Sequence, residues 1–464
     1  MNLAWLDRRR NHPLALAGIT LVITAFAAGC GPGPAPRRPN LVFISIDTLR
    51  ADHLGCYGYS RPTSPMLDAF AGRSHRFSRA YCSMPTTLPS HAAMLTGLHP
   101  GQLGVTSNRG RVPEQAQTLA EILAGEGYQT GAFISSVALD ASRGLAQGFG
   151  VYQDDGMTGG QRAGAETVAL AERWIESAQP RPFFAFVHLY DPHTPYHAPE
   201  PQRRALHAPD RAEPPFRGFR PPGRQPSADQ LAAIVAAYDA EIAYADACVG
   251  QLLRRLDELG RMQDTIIVIL SDHGETLDEL LTTESYAFDH GEFLAAHQLH
   301  VPLILSVPGI PGASVIDSPL STVDVFATLL ELLDVPRAAD VAARSFAPLL
   351  RGADDDDAPA SPVVSQRRSF EQPPRPKLAG TSRSLIEGRW QVTTMSGRLA
   401  DTLNDLESDP LGLVDVASQH AHVVAELHAR LSKLEPWLAP RYAPEASPVD
   451  PALEESLREL GYVR

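Results

Sequence analysis

Two stretches of this chain are apolar, rich in β-branched residues, and stop abruptly on chemistry-bearing side chains. Residues 40–46 read Asn-Leu-Val-Phe-Ile-Ser-Ile and run into Asp47; residues 265–270 run into Ser271, Asp272 and His273. Apolar runs without polar alternation are expected of strands covered on both faces, as in a parallel sheet. Similar runs at 130–135, 183–189 and 301–307 predict three more strands. Between them the apolar spacing changes to three and four, which predicts helices at 66–71, 118–125 and 165–178. The longest helix is expected at 228–260, with Leu231, Ile234, Ile242, Val249, Leu252 and Leu256 on one face. A further helix starts near Leu88 to Ser90 and ends at Gly97, a plausible C′ glycine. Strands alternating with helices predict an α/β fold: three layers around a mostly parallel central sheet.

The pattern breaks after residue 350. Residues 351–380 are rich in Pro, Ala and Ser and include the acidic run Asp354 to Asp357, which predicts a solvated linker or mobile loop. Beyond it, strands at 384–394 and 401–406 and helices at 419–436 and 450–461 predict a small C-terminal α+β subdomain, 381–464, packed against a main domain at 39–350.

The N-terminus changes the expected compartment. Arg8-Arg9-Arg10 precedes an apolar segment, 14–28, that is short for a permanent membrane span. It closes in Ala27-Ala28-Gly29-Cys30, which resembles a bacterial lipobox. The expectation is a signal peptide at 1–30, lipidation at Cys30, and a Pro/Gly-rich tether at 31–38. The protein would then be exported and held on the membrane by its lipid anchor, facing the periplasm or cell exterior. The competing reading is an ordinary signal peptide with a chance cysteine. The other cysteines, Cys56, Cys82 and Cys248, are odd in number and lack zinc-site spacing; a Cys56–Cys82 bridge is open but nothing in the sequence supports it. The formal charge of −14 over 464 residues argues against a nucleic-acid partner.

In open α/β sheets the ligand crevice lies beyond the carboxyl ends of the strands, where Asp47, Asp272 and His273 fall. Two carboxylates and an imidazole suit one divalent ion, with Ca, Mn, Zn and Mg all candidates. Such an ion could also coordinate Thr87 Oγ at the helix start and activate it as a nucleophile. His193 and His290, with His91, Asn108 and Arg50, are candidates to cradle the oxygens of a tetrahedral anion. Each has a plainer alternative: Asp47 as a turn cap, Thr87 as an N-cap, His193 as a loop residue, His290 as a surface histidine. Order and spacing together favour the site.

Those residues resemble the sulfatase family of the alkaline-phosphatase superfamily. The chain from Pro39 to Gly58 is similar to the family's opening strand and metal loop, and Thr87 to Gly97 falls on its signature, Cys/Ser-x-Pro-x-Arg followed by a helix and Thr-Gly. Ser271 to Glu275 matches the second metal motif, Asp289-His290-Gly291 a substrate-binding segment, and Leu403 to Pro410 a segment of the small C-terminal subdomain. The departures are specific. Thr87 stands where active sulfatases convert Cys or Ser to formylglycine, His91 replaces the signature arginine, and Thr48 replaces the second aspartate. His290 occupies one usual lysine position, and Ser135-Ser136 falls near the other. The resemblance therefore implies the threonine-nucleophile branch: a metal-dependent hydrolase of sulfuric or phosphoric esters that favours a phosphodiester or phosphoryl transfer. The alternatives are a sulfuric ester hydrolase working without formylglycine, and an inactive lipoprotein that binds an anionic ligand.

Overall fold

The structure is a computed structural model that describes residues 38–178, 181–336, 343–353, 362–368, 370, 378–396, 400–443, 445–446 and 451–460. The expected signal peptide, Cys30, nearly all of the tether and the run Asp354 to Asp357 lie outside those residues. No helix among the described residues is long and apolar enough to cross a membrane.

A nine-stranded sheet organises the main body. Its strands in chain order are β1 (Asn40–Ile46), β2 (His75–Tyr81), β3 (Gln129–Phe133), β4 (Val151–Gln153), β5 (Phe183–Leu189), β6 (Thr265–Ser271), β7 (His300–Ser306), β8 (Ser314–Ile316) and β9 (Leu320–Ser321). Across the sheet they run β8-β2-β7-β6-β1-β5-β3-β4, with β9 also on β2. From β6 to β4 all pairing is parallel, as the apolar runs predict. β7 is antiparallel to both of its neighbours. Between β6 and β7 the chain holds the two-residue strand Tyr286–Ala287 and the four-residue helix Ala296–Leu299, and no crossover helix of the kind that returns the chain between parallel strands.

Every residue of β1, β5 and β6 is buried. Successive side chains feed two cores: Leu41 and Phe43 point into one, Val42, Ile44 and Ile46 into the other. The first core is covered by α1 (Thr87–Thr96), through Leu88, Ala92, Met94 and Leu95. On the other face α2 (Gly164–Ser177) contributes Val168, Ala171 and Ile175, and α3 (Ala228–Glu258) contributes Ile234, Ile242, Val249, Leu252 and Leu256. These are the three expected layers. The first core also receives Val325, Phe326, Leu329 and Leu330 from α4 (Asp324–Leu332), a helix the apolar spacing did not single out. β2 was missed too, because it reads His-Arg-Phe-Ser-Arg-Ala-Tyr and is only partly buried.

Two further expectations need correction. The single strand at 384–394 is a hairpin, Ser382–Glu387 and Trp390–Met395, turned at Gly388 with φ +55°. The stretch 351–380 is not linker throughout. Val363–Gln366 is a fully buried strand that opens a four-stranded antiparallel sheet, followed by the hairpin and Thr402–Asp405. Val364 opposite Leu385 and Val363 opposite Ile386 supply the apolar pairing that holds it there. α5 (Ala421–Leu434) packs on this sheet through Leu427 and Leu431. The three described cysteines are free, so Cys56 and Cys82 form no bridge.

Candidate active site at the carboxyl edge of the sheet

Strand register brings the site together. Ile46 of β1 lies level with Ser271 of β6 on one side and Leu189 of β5 on the other. The three strands therefore end together, and Asp47, the pair Asp272–His273 and the loop carrying His193 leave from one edge. Asp47, Asp272 and His273 are fully buried, and one potential ligand atom from each lies within 4.8 Å of the others.

The hydrogen bonds around these groups set their chemical state. His273 Nδ1 lies 2.9 Å from the Gly274 carbonyl, which can only accept, so the proton sits on Nδ1. Nε2 keeps its lone pair and faces Asp272 Oδ2 at 3.4 Å and Asp47 Oδ1 at 4.0 Å. Burial holds the imidazole well below its ordinary pKa, and neighbouring His290 adds to this. Asp272 Oδ1 accepts from the backbone N–H of Thr48 at 3.2 Å and of His273 at 2.8 Å, whereas Oδ2 accepts no hydrogen bond among the described residues. Burial, then the Asp47 carboxylate, pushes Asp272 well above the usual carboxylate range. Two buried carboxylates, an unused carboxylate oxygen and an imidazole lone pair pointed at one spot fit a divalent cation.

Thr87 lies where the helix start predicts. It is the first residue of α1, fully buried, with Oγ1 3.4 Å from His273 Nε2. Thr86 precedes it in extended conformation without capping the helix through its side chain. Ser90 donates to the Asp272 carbonyl at 2.7 Å, tying the first turn of α1 to the end of β6. At the other end Gly97 adopts φ +68°, the left-handed C′ conformation that glycine favours. The His290 ring lies tilted by 39° against His273 with ring centroids 4.3 Å apart, and His193 stands edge-on to His290 at 5.4 Å. His193 Nδ1 is 2.6 Å from both the Tyr190 hydroxyl and the Thr194 carbonyl.

Two further candidates for the anion cradle, His91 and Arg50, are engaged elsewhere, and a third, Asn108, is engaged through its oxygen. His91 donates from Nδ1 to the Thr87 carbonyl at 2.8 Å and accepts at Nε2 from the Ser45 hydroxyl at 2.8 Å, so it braces the start of α1 and keeps no ring nitrogen for a ligand. Asn108 Oδ1 accepts from the Leu88 N–H at 2.9 Å, capping α1 from outside the helix. Arg50 is buried and donates to Asp52 at 2.9 and 2.7 Å, to the Glu275 carbonyl at 3.2 Å and to Glu279. These contacts commit its guanidinium to the protein.

Other residues at the site were not singled out. His188 of β5 is buried with Nε2 3.5 Å from Asp47 Oδ2, and neither ring nitrogen has a hydrogen-bond partner among the described residues. Burial drives its pKa down to about 3. A lone polar residue within an apolar strand, in register with Ser45, was its signal. Glu275 Oε2 lies 3.4 Å from His290 Nδ1, and burial raises this carboxyl to about 8. Arg217 and Arg368 approach the 289–291 turn from two Pro-rich segments whose periodicity gives no hint of them.

The sequence profile of the sulfatase family matches residues 39–335. The chain belongs to the sulfatase family. It is 26% identical over 355 residues to an ulvan-active sulfatase of Formosa agariphila, covering 69% of this chain and 66% of that protein. It is 40% identical over 116 residues to human arylsulfatase A, 24% of this chain and 22% of that one. The matches thus span less than two thirds of either relative. The phosphonate monoester hydrolase of Agrobacterium radiobacter shares the fold, with TM-score 0.71, 20% identity, and coverage of 89% of this chain and all of that one. Within the sulfatase fold, Asp47, Thr87, Asp272 and His273 meet at the carboxyl edge of the sheet.

Proposed function

We propose that this sulfatase-family protein hydrolyses an anionic ester with Thr87 as nucleophile, and that its preferred substrate is a phosphodiester. The observation that carries the reading is the position of Thr87 Oγ1. It is buried at the positive end of a ten-residue helix and faces the His273 Nε2 lone pair beside Asp47 and Asp272. Asp47, Asp272 and His273, with Thr87 in reach, are the residues that would hold a divalent ion. Such an ion, when bound, supplies Lewis acidity and lowers the pKa of a coordinated hydroxyl.

The chain's own groups do the rest. His91 and Asn108 fix the first turn of α1 and so aim Thr87, while His290 and His193 line the approach. Thr87 Oγ replaces the leaving alcohol on phosphorus, its hydroxyl proton going to that alcohol, and gives a phosphorylated threonine that still carries the substrate's other ester group. Water, or an acceptor alcohol in a transfer reaction, then replaces Thr87 Oγ. Such reactions depend mainly on positioning and charge neutralisation. A threonine ester has no second hydroxyl through which to expel its anion, unlike a hydrated aldehyde, and this favours phosphorus over sulfur.

A second reading, a sulfuric ester hydrolase with unmodified Thr87, is favoured by the two relatives named as sulfatases. Acid quenching during turnover of a phosphodiester reporter, followed by peptide mass analysis, separates the readings. A phosphoryl group that retains the reporter's second ester on the Thr87 peptide supports the first; adduct-free Thr87 with sulfate turnover favours the second. Absence of any turnover and of any divalent-ion binding would leave an anion-binding protein as the better reading. We also read the chain as an exported lipoprotein anchored through Cys30. Metabolic labelling with palmitate, lost in Cys30→Ser, is the expected result; equal labelling of the variant would refute it.

A further inference from the structure

The lysines that usually hold the substrate anion in this family are absent, and the histidines that line this site bring no charge in their place. Burial, and then the nearby Arg217, hold His193 well below its ordinary pKa, so at neutral pH it offers hydrogen bonds only. A tetrahedral ester anion gaining charge in its transition state requires fixed cations or N–H donors. Arg50 is unavailable, tied to Asp52 and Glu279.

Two other arginines flank the 289–291 turn. Arg217 places Nη2 3.8 Å from Asp289 Oδ1, and Asp289 Oδ1 in turn accepts from the His290 N–H at 3.0 Å. Its Nη1 donates to the Leu460 carbonyl at 2.6 Å, which fixes the guanidinium. Arg368 approaches from the other side and is held by an ion pair with Glu292. Its aliphatic stem runs over Gly291, which has φ +93°. A Cβ on that glycine would lie 2.8 Å from Arg368 Cδ, 3.0 Å from Arg368 Nε and 3.2 Å from Thr86 Oγ1. The missing side chain therefore leaves a notch between Arg368 and the residue just before Thr87.

Three donors around this turn are buried and unused. Arg217 Nε, Arg368 Nε and Thr86 Oγ1 have no hydrogen-bond partner among the described residues, and Thr86 is 1% exposed. Buried donors without partners are costly unless a ligand or water takes them up. Planar guanidinium groups suit tetrahedral oxyanions. The segment that supplies Arg217 is itself cationic, with six arginines against three carboxylates between residues 199 and 226 of a chain whose formal charge is −14.

We propose that Arg217, Arg368 and Thr86 form the oxyanion clamp of this site, binding the non-bridging oxygens of a phosphate or sulfate ester seated on Thr87. This rests on the functional reading above and names the residues that replace the family's lysines. Gly291 is then required for space, since any side chain would fill the notch.

The test is inorganic phosphate binding by calorimetry to the full-length protein equilibrated with Mn²⁺, with bound metal measured in parallel. Arg217→Gln and Arg368→Gln should each weaken phosphate about tenfold, the loss of one charge-assisted hydrogen bond, and Thr86→Val a few-fold, all with unchanged metal content. Arg368→Lys keeps a positive charge beside Glu292 but lacks the Nε–H, and should recover only part of the affinity; if the glutamine variant does not fold, unchanged phosphate affinity in the lysine variant overturns the Arg368 contact. Phosphate affinity within twofold of the unaltered protein in both glutamine variants overturns the clamp while leaving the Thr87 chemistry standing. An unaltered protein that binds no phosphate overturns it as well. Arginine-dependent phosphate binding by a protein that turns over no ester would support the clamp and refute the hydrolase reading.

Discussion

Replacing Asp272 with asparagine removes one charge from the buried carboxylate pair while nearly preserving its shape. Asp47 and Asp272 are both fully buried, with ligand atoms no more than 4.8 Å apart. At an effective dielectric constant of about 20, two like charges at that distance repel by about 3.5 kcal/mol. Without a cation the fold escapes part of this by keeping Asp272 protonated, which is why burial and Asp47 push its pKa up. A carboxyl whose folded pKa is raised contributes fully to stability below its unfolded value, about 3.9, and loses that contribution as pH rises toward the folded value. Metal-free protein should therefore weaken from pH 4 upward, and metal-free Asp272→Asn should weaken less. With metal the order reverses. A cation present at 100 times its dissociation constant stabilises the unaltered protein by about 2.7 kcal/mol, or about 3 °C for a unit the size of Arg38–Arg464. Scanning calorimetry at pH 5 and pH 8, with chelator and with metal, reads both effects. The expected outcome is a variant that melts at or above the unaltered protein in chelator at pH 8 and shows no metal shift. A variant that is less stable in chelator, or that gains the same shift with metal, would show that Asp272 is not an electrostatically loaded ligand.

Thr87→Ala should lower turnover about a thousandfold or more while costing only about 1 kcal/mol of stability for the buried methyl and hydroxyl it removes, the hydroxyl lying 3.4 Å from His273 Nε2; Thr87→Ser should retain measurable turnover. Glu275, raised to about 8 by burial, makes the fold lose stability between pH 4.5 and pH 8 as its carboxyl is forced to ionise. Glu275→Gln should flatten that part of the melting-temperature profile, and an unchanged slope would contradict the buried neutral carboxyl. Gly274→Ala would place a Cβ 2.1 Å from the backbone carbonyl of His297, which cannot swing aside, so a loss of at least ~3 kcal/mol by chemical denaturation is expected.

The framework of the site was legible because its signals are local. Apolar runs that stop on Asp47 and Asp272–His273 state both the buried strands and the edge at which they end, and Gly97 marks the end of α1. What the sequence hid is non-local. Arg50 looks like a ligand in one dimension, but its partners, Asp52 and Glu279, commit it to the protein, and the pairing with Glu279 is chosen by tertiary packing. Arg217 and Arg368 sit in Pro-rich segments with no periodicity, so nothing in their neighbours places them at the 289–291 turn. The reversal of β7 goes with a connection that lacks a crossover helix, and in Val363–Gln366 only Val363 and Val364 are apolar, two residues within loop-like composition.

The most direct test of Thr87 chemistry on phosphorus uses metal-stripped protein and its Thr87→Ala variant. Turnover of a phosphodiester reporter and of a sulfate monoester reporter is measured while Mn²⁺, Zn²⁺, Mg²⁺ and Ca²⁺ are each titrated in. The expected result is metal-dependent turnover, faster on the phosphodiester and lost in Thr87→Ala. Sulfate-selective turnover, or phosphodiester turnover that survives the loss of the Thr87 hydroxyl, would contradict it.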